Sequence, residues 1–180
     1  MKMKTALFLM FSILLTVPAF AESENLFQKY DGKSVKVYIA PAKDSTSGHD
    51  IDPASLKTKI EEALKARKSI RFQIVDSAEA ADLSIDTNLI GYVWSDHDPI
   101  DMLVGVGGTA ADAAIVEDYA SAEADITVTD VRSNRPVWVS RVRASVTKKP
   151  MSRAESVPLV SDQMAKTFIK ECFSKRSKRR

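Results

Sequence analysis

Cysteine occurs once in 180 residues, at position 172. No disulfide can form within the chain, so its fold depends on a hydrophobic core. The same scarcity matters for attachment. Bacterial lipoproteins carry an acylated cysteine directly after the signal segment, and none stands there. Histidine is nearly as scarce, at positions 49 and 97. No Gly-x-Ser-x-Gly elbow is present, which leaves a hydrolytic triad without a framework. A Walker lysine is also missing. The turn Gly105-Val106-Gly107-Gly108-Thr109 lacks a third glycine at the proper offset and the flanking parallel strands of a dinucleotide fingerprint, and it reads as a flexible loop. No apolar run beyond the first 20 residues approaches the roughly 20 needed for a membrane-spanning helix.

What is present begins with an export signal. Lys2 and Lys4 form a positive start, Thr5 to Val17 is almost wholly apolar, and Ala19-Phe20-Ala21 is a small-x-small cleavage pattern. Pro18, Glu22 and Glu24 close the run too early for an anchor. The expectation is a cleaved segment 1–21 and a periplasmic, or secreted, protein of about 159 residues, enough for one core.

The net charge of +2 conceals an asymmetry. Residues 22–174 hold 19 basic and 24 acidic residues, whereas Lys175, Arg176, Lys178, Arg179 and Arg180 crowd the last six positions. An acidic domain therefore carries a basic tail at 175–180. Such a tail is either solvated or set against anionic headgroups or another polyanion. Nucleic acid is excluded as a partner by the acidic body, the lack of a binding motif and the compartment.

Hydrophobic period gives the order of elements. Val35, Val37 and Ile39 alternate as a strand ended by Pro41, and Lys43 to Asp50 reads as a loop. Asp52 stands at an N-cap with Pro53 at the first helical position, and Leu56, Ile60, Ala63, Leu64 and Arg67 share one helix face. Ile70, Phe72 and Ile74 mark a strand, and Leu83, Ile85 and Thr87 begin another that runs to about Trp94. Residues 95–118, first polar, then Gly-rich, then Ala-rich, read as an insertion. Ala120 to Val128 and Val137 to Thr147 form a hairpin across Ser133-Asn134-Arg135-Pro136. After a loop holding Pro150 and Pro158, Val160, Met164, Phe168 and Cys172 recur every fourth residue from Leu159 to Phe173 as a closing helix. The predicted fold is α+β with order β-α-β-β-β-β-α. It is a single two-layer sandwich over 22–174, with a mostly antiparallel sheet and both helices on one face.

Three of these features together resemble a superfamily of bacterial envelope proteins. They are the helix ending near Arg67 with the strand Ile70 to Val75, the turn Asp76 to Asp82 entering a long strand, and the hairpin Ala124 to Val131 with Trp138. Members of that superfamily include the lipopolysaccharide-assembly lipoprotein, the curli-secretion lipoprotein and lipoprotein activators of peptidoglycan synthases. The resemblance covers most of 34–173 and rests on arrangement, not on a catalytic pattern. It implies a non-enzymatic accessory, without cofactor, that binds an envelope protein or glycan. The chain departs from the relatives in lacking the acylated cysteine. Its 95–118 insertion stands where the curli-type relative has a membrane-inserting segment, yet it holds Asp96, Asp98, Asp101 and Asp112.

An alternative chemistry comes from His49-Asp50-Ile51-Asp52 and from Asp96, His97, Asp98 and Asp101. Imidazole beside carboxylates offers ligands for zinc or calcium, and implies a metal-binding protein or metal-dependent enzyme. The spacing matches no established metal loop, and Asp52 already has a role as a cap. Cys172 lies on the apolar stripe of the last helix, which implies a core residue in place of a reactive thiol, though the sequence leaves an intermolecular disulfide open. Trp94 and Trp138 at strand margins read as packing elements before sugar-stacking platforms.

Overall fold

The computed structural model describes residues 26–94, 120–146 and 152–174. Its elements in chain order are helix α1 (Leu26–Tyr30), strands β1 (Ser34–Ile39) and β2 (Lys43–Asp44), helix α2 (Pro53–Lys65), strand β3 (Arg71–Val75), a 3-10 turn (Ala78–Ala80), strands β4 (Leu83–Trp94), β5 (Ala120–Asp130) and β6 (Arg135–Val146), and helix α3 (Arg153–Phe173). The sheet order is β3-β1-β4-β5-β6, with β2 also paired to β4. The long ladders β4–β5 and β5–β6 are antiparallel. The shorter pairings β1–β3, β1–β4 and β2–β4 are parallel. The two-layer α+β sandwich with a mostly antiparallel sheet is therefore the observed fold.

Alternation along each strand places one apolar face under the helices. Val35, Val37 and Ile39 of β1, Leu83, Ile85 and Leu89 of β4, and Ala120, Ala122, Ala124, Ile126 and Val128 of β5 are all buried. The three alanines of β5 are small, which leaves room for the large side chains of α3 packed over β5 and β6. Phe168 sits at the centre of that layer, its ring 5.4 Å from Trp138 and 6.0 Å from Phe173. Leu56, Ile60 and Leu64 bury one face of α2, each contributing on the order of 2 kcal/mol by leaving water.

Local chemistry sets the helix ends. The Asp52 carboxylate accepts from Ala54 N and Ser55 N at 3.1 and 3.0 Å, and Pro53 begins α2 where no N–H is needed. Helix α3 begins earlier than the apolar period implies. Ser152 and Glu155 form a reciprocal capping box, so the helix starts at Arg153 and takes in Pro158. Pro158 stands at the sixth helical position, past the first turn, and removes the intrahelical bond that a backbone N–H there would give to Ala154 O. Sequence periodicity placed Pro158 in a loop, and the capping pair overrides that reading.

Three further departures concern the strands and α1. The stretch read as a loop from Lys43 contains the short β2, where Lys43 aligns with Asn88 and Ser45 N donates to Leu89 O at 2.8 Å. Pro41 interrupts β1, and the chain then rejoins the same lane of the sheet. Strand β4 carries a bulge at Ile90, where the register to β5 jumps from Leu89↔Ala124 to Gly91↔Glu123. Odd-numbered residues face the helices before the bulge, and even-numbered Tyr92 and Trp94 after it. Helix α1 packs against α3 through the buried Leu26, and Gly32 follows it with a φ of 73°, a left-handed turn that glycine adopts without strain.

Residues 1–25, with the signal segment, lie outside the described residues, as do the 95–118 insertion and the basic tail 175–180. The strands on either side of that insertion are neighbours, and Trp94 aligns with Ala120 at the end of the ladder.

Candidate functional site

Because all described helices pack on one face, the opposite face of the sheet carries no helix among the described residues. Strand alternation lines it mostly with polar side chains, with the exposed Val93 and Val139 among them. Asp86 aligns with Thr127, and Asn88 with Asp125. Asp125 aligns in turn with Arg141, and Glu123 with Arg143. Arg141 grips Asp125 with two hydrogen bonds, from Nε at 2.8 Å and Nη2 at 3.1 Å. That bond holds the Asp125 carboxyl below its usual range, against a smaller opposing effect of desolvation.

A cleft of about 130 Å³ opens where these strands meet β2, lined by Pro41, Lys43, Asp86, Thr87, Asn88, Asp125 and Thr127. Its floor is set by cross-strand register, and its rim by Pro41 and Lys43. Asn88 is itself oriented, its Oδ1 accepting from Ser45 Oγ at 2.8 Å. An ammonium, carboxylates, an amide and a hydroxyl together can recognise a ligand rich in hydrogen-bonding groups. Asp125, held ionised by Arg141, suits binding better than proton donation.

Asp96, His97, Asp98 and Asp101, and the basic residues Lys175, Arg176, Lys178, Arg179 and Arg180, lie outside the described residues. The other histidine loop is described, and its acids do separate work. Asp44 accepts from His49 Nδ1 at 2.8 Å, and also from Thr46 N and Oγ1 at 2.8 and 2.6 Å. Asp50 pairs with Arg153 of α3, and Asp52 caps α2. His49 takes a left-handed backbone, φ 47°, which turns the loop between them. Among the described residues no three acids, histidines or cysteines converge as a metal site.

Trp138 is buried against Phe168, and Trp94 is half-buried on the same core, so neither ring forms an open stacking platform. Cys172 is buried on α3, and burial pushes its thiol well above the usual range. The cleft residues were visible in the sequence only as the polar half of an alternation. Nothing local in the sequence tells that Asn88 lies beside Asp125, because the register of the β4–β5 ladder, with its shift at Leu89/Gly91, decides the alignment.

No protein-family model and no curated protein matches the chain. Solved structures do. The PelC dodecamer from Paraburkholderia phytofirmans is similar with a TM-score of 0.52 at 11% identity, covering 79% of this chain and 90% of that one. Lipoprotein GNA1162 from Neisseria meningitidis gives 0.38 at 10% identity, covering 73% and 98%. A minor lipoprotein from Acinetobacter baumannii gives 0.39 at 10%, covering 76% and 90%. The likeness to PelC is one of fold, and bacterial lipoproteins stand among the more distant matches.

Proposed function

We propose that this chain is an exported, non-enzymatic accessory of the bacterial cell envelope that binds an envelope protein or glycan on the face of its sheet opposite α2 and α3. The observation that carries the reading is the face itself, which presents Asp86, Asn88, Asp125 and Thr127 around one cleft. Export follows from Lys2, Lys4, the apolar run Thr5 to Val17 and Ala19-Phe20-Ala21.

The test is recovery of crosslinked partners from the periplasm with the wild-type protein and with Asp86→Arg. Asp86 is exposed, so the substitution leaves the melting temperature unchanged. The expected result is an envelope protein or glycan that the wild type retains and the variant loses. Equal recovery by both would remove the cleft from the reading, and no recovery by either would remove the accessory role.

A second reading concerns assembly. PelC, which has this fold, is a dodecamer, and here the edge strands β3 and β6 are each paired on one side only among the described residues. Self-association through those edges follows β-strand addition. Native mass spectrometry showing only a monomer at micromolar concentration would exclude it.

A further inference from the structure

The cleft on the sheet face owes its existence to a mismatch along β4. Ile39 aligns with Ile85 and Lys43 with Asn88, so the chain takes one more residue than β4 to cover the same distance. The extra residue bows the chain outward at Pro41, a bulge between β1 and β2. Main-chain bonds stand on either side of it, from Ala40 N to Ile85 O at 3.0 Å and from Ser45 N to Leu89 O at 2.8 Å. Strand alternation turns the Thr87 N–H toward the gap between them, and there it has no acceptor among the described residues. The Thr87 side chain faces the helices and is buried, so its share of the cleft wall is main chain.

The groups around that N–H are mixed in kind. Asn88 Oδ1 is taken by Ser45 Oγ, which leaves Nδ2 to donate. Lys43 donates from the rim, Thr127 can donate or accept, and Asp86 accepts. The charges cancel, Lys43 and Arg141 against Asp86 and Asp125, so no net field selects an ion. An added peptide strand needs a row of open main-chain groups. Here Ile85 O and Leu89 O are already bonded, and a single N–H remains between them. The volume of about 130 Å³ lies below the roughly 300 Å³ at which drug-sized pockets begin, so it admits one small ring. We infer that the cleft is a subsite for one neutral sugar ring of an envelope glycan, its hydroxyls on the Thr87 N–H, Asn88 Nδ2 and Asp86 and its C–H face against Pro41. A sugar hydroxyl both donates and accepts, which matches a wall of donors and acceptors in close alternation.

This inference rests on the sheet-face reading and narrows its ligand from protein or glycan to glycan. Its test is an NMR titration of the isotopically labelled protein with the methyl glycosides of N-acetylglucosamine, glucose, galactose and mannose, and with tri-alanine as a peptide control. The expected result is a saturable, millimolar shift of the Thr87 amide and the Asn88 side-chain amide with at least one glycoside and none with the peptide. Asp86→Ala weakens that affinity about tenfold, the loss of a charge-assisted hydrogen bond. Asp86 is exposed, and unchanged thermal melting shows that the variant is folded. A Thr87 amide silent to every glycoside, an equal response to tri-alanine, or wild-type affinity in Asp86→Ala would overturn the inference. A protein recovered by crosslinking and lost with Asp86→Arg, with the Thr87 amide silent to sugar, would leave the accessory role in place and remove only the sugar.

Discussion

Tyr92 Oη lies 2.6 Å from Ser156 Oγ, tying the far end of β4 to the first turns of α3. The bond exists because the bulge at Ile90 turns Tyr92 toward the helices. Ser156 is fully buried and its hydroxyl also reaches Arg153 O at 2.8 Å. Tyr92→Phe is expected to lower unfolding free energy by about 1 kcal/mol, read from urea denaturation. Deleting Ile90 removes the bulge and leaves Tyr92 and Trp94 in phase with Leu89, so both rings still face the helices and the Tyr92–Ser156 bond is expected to persist.

Thr87 has the reverse problem. It is 4% exposed on β4, and its hydroxyl has no hydrogen-bond partner among the described residues. A buried unsatisfied hydroxyl is costly, whereas valine has nearly the same shape and no such group. Thr87→Val is expected to stabilise the domain by about 1 kcal/mol, visible as a higher urea midpoint with an unchanged slope.

The thiol of Cys172 is expected to be inert. It is buried on α3 and desolvation disfavours the thiolate, which is the reactive form. A thiol reagent at pH 8 is expected to label the denatured chain fully and the native chain only through rare opening. Mild oxidation is expected to give no disulfide-linked dimer of the folded protein. Labelling of the native protein at the rate of a free peptide thiol would contradict this.

Stability is expected to fall in acid. Asp130 is held below its ordinary range first by the backbone N–H of Ser133, with desolvation opposing and Lys29 assisting. Asp44 is pushed up by desolvation, but hydrogen bonds from Thr46 and His49 outweigh it and the net shift is down. A carboxyl with a depressed native pKa binds a proton less readily folded than unfolded. Its contribution is fully present above the unfolded value of about 3.9 and is lost as pH drops through the native value. Thermal melting should therefore be flat from about pH 7 to 5 and decline below about pH 4. Asp130→Asn should make that decline shallower.

Elements with a strong period were legible before any coordinates. Leu56, Ile60 and Leu64 on α2, and Val160, Met164, Phe168 and Cys172 on α3, are buried where a helical period puts them. The alternating alanines of β5 are equally plain. Pairing was not legible, because parallel β1–β3 contact depends on where α2 returns the chain, and no residue in either strand records it. The bulge at Ile90 escaped for a related reason, since a one-residue insertion leaves no composition signal. The start of α3 was recoverable, because Ser152 and Glu155 spell a capping box that the apolar period alone passes over. The site fared worst, as its side chains belong to separate strands brought together by register.

The alignment of Trp94 with Ala120 brings the two ends of the 25-residue connection to adjacent strands. Two antiparallel neighbours can be closed by a turn of two to five residues as readily as by a long one. Doubling the length of a flexible connection costs only roughly 0.6 kcal/mol of closure entropy, so joining these two strand ends sets little constraint on the length between them. The sandwich thus asks of this crossing only that it begin and end at neighbouring strands.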